Sequence, residues 1–459
     1  MNYDFLIIGG GSAGYAAART AAAAGLKTCV VDGARELGGL CILRGCMPSK
    51  TLLASSTRFA AMRHAGQFGL SATGLAFDGA AIIARKRQLI AGFAEYRAGQ
   101  LQDGRFDLVR GQARFVDANT VVVGESEQRI TARTFLIATG SRVSGVPIPS
   151  LNDVGFWTTD DVLDSAEIPA SVIILGGGAT AVEFATYYAG LGREVTIIQR
   201  SEHLLKGTDE DIADALADGL RRRGVKLFTG TKLLTAERTA GGKRITFEHS
   251  SGTLSVEAEQ ILHTLGREPN IAGLDLAAAG ISESGRPKVR ATQQTNEPHI
   301  FAAGDVAGPY EIVHIAIQQG EIAARNAGRF IAGSGAMEET DYRLRLYGIF
   351  SEPEVAVVGA SERELTESGI PFRSARYPFN DHGKSMCMGE TDGFVKLIAA
   401  AESGEILGGA VVGPHATELI HEIAVAMHFR ATAAQLASVP HYHPTLSEIW
   451  GYPAEELAG

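Results

Sequence analysis

Two cysteines five positions apart, Cys41 and Cys46, are the residues of this chain best suited to redox chemistry. Two thiols that can meet carry two electrons in one S–S bond, and the attacking form is the thiolate. Spacing alone works against the pair. In a straight helix five residues span about 7.5 Å of axis, too far for a disulfide. Gly45, directly before Cys46, relaxes that limit, because a residue without Cβ lets the backbone distort. A nearby helix N-terminus would favour the thiolate. Taken alone, the spacing is equally compatible with a coincidental or structural pair. Cys29 lies in the apolar run Thr28–Val31, and Cys387 stands between Met386 and Met388. Both read as ordinary residues. Four cysteines are too few for a disulfide scaffold. No second Cys or His pair stands at zinc-ligand spacing, so no metal is expected.

The elements that must position the pair announce themselves by repetition. The apolar strand Phe5–Ile8 runs into Gly9-Gly10-Gly11-Ser12-Ala13-Gly14 and then a helical stretch. The strand Val172–Leu175 runs into Gly176-Gly177-Gly178-Ala179-Thr180-Ala181 and another helix. Second strands follow at Lys27–Val31 and Glu194–Ile198, ending at Asp32 and Gln199, each twenty-three residues after its first glycine. One glycine fingerprint is weak evidence; two in register indicate two Rossmann-type dinucleotide units. In such a turn the glycines permit a tight bend and close backbone approach, and the helix N-terminus offers N–H groups to a pyrophosphate.

The second unit interrupts the first. The strand Phe135–Ala138 enters Thr139-Gly140-Ser141, and far downstream Phe301–Asp305 closes another strand of the same kind. Beyond about residue 340, alternating segments (Val355–Val358, Phe394–Ile398, Ile406–Val412) with helices near Glu418–Phe429 and Ala433–Leu436 predict an antiparallel third domain. The fold class is therefore α/β, with two Rossmann-type domains and a C-terminal α+β domain. The predicted divisions are 1–149 and 271–340 for the first dinucleotide domain, 150–270 for the second, and 341–459 for the last. A net charge of −10 argues against nucleic acid. No apolar run reaches a membrane-spanning length, and the N-terminus reads as a strand rather than a signal peptide. A cytoplasmic location is the expectation.

The run Gly38-Gly39-Leu40-Cys41 to Cys46-Met47-Pro48-Ser49-Lys50, behind an N-terminal glycine fingerprint, resembles the class I pyridine nucleotide–disulfide oxidoreductases. So do Ala138–Ser141, Gly266-Arg267-Glu268-Pro269-Asn270, Ala303-Gly304-Asp305 and His443-Pro444-Thr445-Leu446-Ser447-Glu448. The resemblance covers essentially the whole chain. It implies that FAD lies on Gly9, Gly11, Ser12, Ala13 and Gly14, with its ribose at Asp32, where most relatives carry Glu. Ala113, Thr139, Gly140, Ser141, Gly266, Asp305, Val313 and His314 would complete that site. Cys46 would be the flavin-proximal thiol and Cys41 the interchange thiol, with Lys50 and Glu183 paired near flavin N5. His443, oriented by Glu448, would move protons to and from the partner subunit's thiol in an obligate homodimer. For a His-Pro alone, a surface or capping role would be the default; the cysteines and Glu448 tip the balance. His441 and His263 keep an ordinary structural reading.

Cofactor and substrate signals diverge. Gly176, Gly178 and Ala181 form the second fingerprint, with Ala in place of the third glycine. Gln199 replaces the acid expected of an NAD site and is followed by Arg200 and Lys206, a pattern resembling NADP-dependent glutathione reductases. NADP(H) is therefore favoured over NAD(H). Pro48-Ser49-Lys50, the His443–Glu448 segment and Met388–Phe394 instead look like dihydrolipoyl dehydrogenase. The expected activity is electron transfer between a nicotinamide and a small-molecule or carrier-bound dithiol or disulfide. A glutathione-reductase-like reductase of another small disulfide is the alternative. Gly451 and Pro453 are expected to end the helix after Glu448 early.

Overall fold

The computed structural model describes residues 2–282 and 285–459. Two compact units emerge, one from Met1–Ser49, Ala84–Ser144 and Gly266–Asp341, the other from Lys50–Ile83, Gly145–Leu265 and Tyr342–Gly459.

In the first unit a seven-stranded sheet runs in the order 107–110, 28–32, 3–8, 128–137, 120–123, 113–117, with 300–302 also on 128–137. Its parallel core places Phe5 to Ile8 opposite Thr28 to Val31 on one side and Thr134 to Ile137 on the other. These strands read as continuous apolar runs because both faces are covered. Phe5, Leu6, Ile7, Phe135 and Leu136 are fully buried. The helix Ser12–Ala23 packs on the sheet through a run of alanines, and the long helix Val313–Ala332 packs against it. Gly320 lets those helices touch, since a Cβ there would lie 2.2 Å from the Ala13 carbonyl.

The second unit holds three sheets. A four-stranded parallel sheet has the order 226–228, 194–198, 171–175, 260–263. A three-stranded antiparallel sheet spans 232–258, and a five-stranded antiparallel sheet carries 346–349, 354–359, 406–413, 394–400 and 372–378. The α/β class with its C-terminal α+β domain is thus as expected. The last sheet is backed by the helices Ala416–His428 and Gly451–Ala458, with Trp450 wholly buried among them. Among the described residues no helix is long and apolar enough to cross a membrane.

One element belongs to both units. The helix Cys46–Arg63 begins in the first and continues in the second. There Ser56 Oγ donates to the Tyr187 carbonyl at 2.7 Å, and Leu52, Leu53 and Phe59 enter the same apolar cluster as Val182, Phe184 and Tyr187.

Candidate active site

The thiol segment is built around a break in the helix. Cys41 sits in the short helix Gly39–Leu43, and Cys46 opens the helix Cys46–Arg63. Gly45 lies between them. A Cβ on it would come within 2.9 Å of the Leu40 carbonyl and 3.1 Å of Cys41 Cα, so only glycine lets the second helix start this close to the first cysteine. Ser49 Oγ holds the junction by donating to the Gly45 carbonyl at 2.8 Å. Both cysteines are half-buried, accessible enough to react. Gly39, with φ +76°, brings the segment onto the first dinucleotide turn; its Cβ would meet Gly11 Cα at 2.7 Å. Cys29 contrasts with the pair. It is fully buried, and burial followed by the charge of Asp107 pushes its thiol up to about 12. It is not a reactive thiol.

The first glycine turn is drawn tight against the sheet. A Cβ on Gly14 would sit 1.8 Å from the Gly9 carbonyl oxygen, and Gly9 itself has φ +104°. Ser12 and Ala13 begin the helix that follows. Asp32 is buried; Oδ2 accepts from the Gly10 N–H at 2.8 Å, and Oδ1 accepts from the Ala34 N–H and Arg110. The acid therefore braces the turn. Around it, Thr139 Oγ1 is buried without a hydrogen-bond partner, the state expected of a group meant for a ligand. Gly140 has φ +73°, and Ser141 Oγ donates to Asp305 Oδ2 at 2.7 Å. Gly266, at φ +121°, ends the crossover that returns the chain to this unit, and Ala113 is buried at the start of its strand. Val313 and His314 form the first turn of the long helix. Turn, orphan hydroxyl and helix N-terminus together fit a dinucleotide cofactor.

Within the second unit, Lys50 Nζ donates to both oxygens of Glu183 at 2.7 and 2.9 Å, and lies 4.7 Å from the centre of the Phe350 ring. The Phe350 N–H donates to Glu183 Oε1, so the carboxylate is held from two sides. Gly176 (φ +113°) and Gly178 form the second turn, and Ala181 is fully buried in the helix Ala179–Gly190. Gln199 directly follows the strand Glu194–Ile198. Arg200 and Lys206 are exposed, and neither makes an ion pair among the described residues.

His443 Nδ1 is 2.9 Å from Glu448 Oε2, with the imidazole largely exposed and the carboxylate mostly covered. This is the arrangement that fixes a tautomer and presents the other nitrogen outward. The helix after Glu448 does not end early. A 3-10 turn at Ser447–Trp450 passes directly into the helix Gly451–Ala458. Pro453 falls in that helix's first turn, where a missing N–H costs no hydrogen bond. Trp450, donating from Nε1 to the Leu419 carbonyl at 3.1 Å, anchors it. Tyr452 then stacks on Tyr377, ring centres 3.8 Å apart. His441 pairs with Glu422 at 2.6 Å, while His263 is buried and accepts from the Leu265 N–H at 3.2 Å.

Two participants escape a sequence reading. Arg97 stacks over the Tyr15 ring at 4.1 Å; burial lowers its guanidinium pKa, and Tyr15 and Cys41 oppose that shift. His382, wholly buried, lies against Glu448. Neither carries a local motif. One acidic cluster is already satisfied: Asp209, Asp211 and Glu362 surround Lys396 Nζ at 2.8, 2.9 and 3.3 Å.

Comparison with known proteins agrees along the whole chain. The family model "Pyridine nucleotide-disulphide oxidoreductase" matches residues 3–320, and its dimerisation domain matches 347–453. A dihydrolipoyl dehydrogenase of Chlamydia muridarum is 36% identical, the match covering 98% of this chain and 96% of that protein. One from Geobacillus stearothermophilus is 34% identical over 99% and 96%. Among solved structures, LpdA from Mycobacterium tuberculosis superposes with a TM-score of 0.86 at 29% identity, covering 99% of both chains. The HOCl-induced flavoprotein disulfide reductase RclA from Escherichia coli gives 0.85 at 26%, again over 99% of both.

Proposed function

The chain belongs to the pyridine nucleotide-disulphide oxidoreductase family, and on that premise we propose how its own residues divide the work. It is a flavoprotein disulfide oxidoreductase of the dihydrolipoyl dehydrogenase type, a homodimer that uses FAD and a nicotinamide and acts on a dithiol or disulfide. FAD, when bound, supplies the two-electron link between the nicotinamide and the Cys41–Cys46 disulfide. Residues 1–149 and 271–340 hold it, through the Gly9–Gly14 turn, Thr139 and Asp305. Residues 150–270 hold the nicotinamide, and residues 341–459 form the dimer interface.

His443 of one subunit takes a proton from a substrate thiol. The resulting thiolate attacks Cys41 Sγ, and Cys46 leaves as thiolate. The second substrate thiol then displaces Cys41, so the substrate ends as a disulfide and the enzyme as a dithiol. Two electrons and two protons have moved, and the reverse sequence reduces a disulfide. Glu448 keeps His443 Nδ1–H engaged, leaving Nε2 to exchange the proton. Glu183 holds the Lys50 ammonium in place beside the flavin site. NADP(H) is the preferred nicotinamide, because Gln199 carries no charge to repel a 2′-phosphate and Arg200 and Lys206 are exposed cations without acidic partners.

The observation that carries this reading is the helix break at Gly45, which starts the helix of Cys46 close against the backbone of Cys41. Steady-state turnover with NADH and NADPH against lipoamide, dihydrolipoamide, glutathione disulfide and a lipoylated carrier domain tests it. Turnover with lipoyl substrates at least tenfold above that with glutathione disulfide is expected. The opposite order would assign the chain to reduction of another small disulfide.

A further inference from the structure

Glu448 has two oxygens and two histidines. Oε2 is 2.9 Å from His443 Nδ1, and Oε1 is 3.4 Å from His382 Nε2. The two imidazoles differ in every other respect. The His443 side chain is 80% exposed and that of His382 is 0% exposed. His382 comes from a segment remote in sequence, at the cap of the short helix Gly383–Met388 beside the interface sheet. Its Nδ1 is 2.9 Å from the buried Ser385 Oγ. Its Nε2 has no aligned hydrogen-bond partner, so the 3.4 Å approach is an electrostatic contact rather than a full hydrogen bond.

The tautomer follows from these neighbours. If Nε2 were bare, its lone pair would face the carboxylate, which costs energy in a buried site. The alternative puts the proton on Nε2, 3.4 Å from Glu448 Oε1, and lets the Ser385 hydroxyl donate to Nδ1. Burial lowers the His382 pKa, against the opposing pull of Glu448, and the nearby His443 adds to the lowering. The other ring facing it is Tyr452, with centres 6.5 Å apart. A neutral imidazole held beside one oxygen is what a positioning device requires.

We propose that His382 is a positioning residue for proton transfer: its Nε2–H fixes Glu448 Oε1 from inside, so that Oε2 is held on His443 Nδ1 outside. Ser385 fixes His382 in turn. The chain Ser385–His382–Glu448–His443 thus runs from the core to the surface, and only its last member meets substrate. This inference rests on the proposed role of His443 as proton carrier.

The test uses the flavin-loaded dimer, four single variants (His443→Gln, Glu448→Gln, His382→Leu and His382→Asn) and the two double variants that join each His382 change to Glu448→Gln. His382→Leu is expected to lower kcat with dihydrolipoamide by about tenfold, with KM changed less than twofold. Its pH–kcat profile should move in the same direction as that of Glu448→Gln. Flavin content and electron transfer from NADPH to ferricyanide should stay within twofold of wild type. His382→Asn, which keeps a donor, should recover at least half of the loss. The variant His382→Leu/Glu448→Gln should be no slower than Glu448→Gln alone, because the effect passes through Glu448. Multiplicative losses in that double variant, or an unmoved pH profile in His382→Leu, would overturn the inference. Should His382→Leu fail to fold, His382→Asn with and without Glu448→Gln reads the same coupling. If His443→Gln turned over at wild-type rate, the parent reading would fail instead.

Discussion

The two compact units each carry one glycine turn; the first also holds the two thiols and the second the His443–Glu448 pair, and they are built in opposite ways. In the first, Cys41 stands on a short helix pressed against the turn and Cys46 opens the next helix, with glycine at every point of contact: Gly11, Gly39 and Gly45. Small residues make reach possible there, and backbone proximity is the design. In the second, the His443–Glu448 pair stands on a scaffold of bulky anchors. Trp450, Ile449 and Leu457 are buried beneath the His443–Glu448 segment, and Tyr452 stacks on Tyr377. Thiols need to approach one another within bonding distance, so they need glycine. A general base needs an oriented ring, so it needs a braced carboxylate.

The comparison predicts that damage to the two halves differs in kind. Cys41→Ser should reduce dithiol–disulfide turnover to background, while electron transfer from NADPH to ferricyanide persists, because that route needs no interchange thiol. Stopped-flow reduction and steady-state lipoamide assays on one preparation check this; retained lipoamide turnover would sink the interchange role. His443→Gln should be milder, lowering turnover by about 10² to 10⁴, the range for one positioned acid–base group. Mixing Cys41→Ser and His443→Gln subunits under exchange conditions should restore part of the activity, since some heterodimers then hold one intact site. No recovery despite proven exchange would mean that each chain serves its own thiols.

The nicotinamide turn should respond less. A charge-assisted contact from Arg200 to a 2′-phosphate contributes about 1.5–3 kcal/mol, which is about ten- to a hundredfold in kcat/KM for NADPH over NADH. Gln199→Glu with Arg200→Ala should reverse the order. A wild-type enzyme that favours NADH by tenfold would place Arg200 in solvent and make this an ordinary NAD site.

What the sequence discloses and what it hides separate along the same line. Both glycine turns and the Cys41–Cys46 segment are legible because their logic is local: a glycine at fixed offset from a strand, a glycine before a cysteine. The pairing of His443 with Glu448, five residues on, is nearly as local. The continuation of the chain as a helix past Gly451 is hidden, because a proline in mid-sequence reads as a stop until Trp450 is known to be buried and Pro453 to lie in a first turn. His382 and Arg97 are hidden for a stronger reason. Their partners, Glu448 and Tyr15, are brought to them only by tertiary packing, and no spacing rule connects them.

The smallest effect probes the one place where the two turns themselves differ. Gly14 and Ala181 occupy the same position in the two fingerprints. At Gly14 an added methyl would overlap the Gly9 carbonyl oxygen at 1.8 Å, backbone that cannot swing aside. At Ala181 the methyl is present and fully buried, so the second helix leaves room for it. The substitutions should therefore be asymmetric. Gly14→Ala forces helix and strand apart and should cost about 1–3 kcal/mol or more, together with loss of flavin from the purified protein. Ala181→Gly opens a methyl-sized gap and adds backbone freedom in a helix, for about 1 kcal/mol, with flavin content unchanged. Urea midpoints and the ratio of flavin to protein absorbance measure both. Equal losses in the two variants would show that the third glycine is a matter of helix propensity alone. The unequal outcome would show that it sets how closely each helix approaches the strand that feeds it.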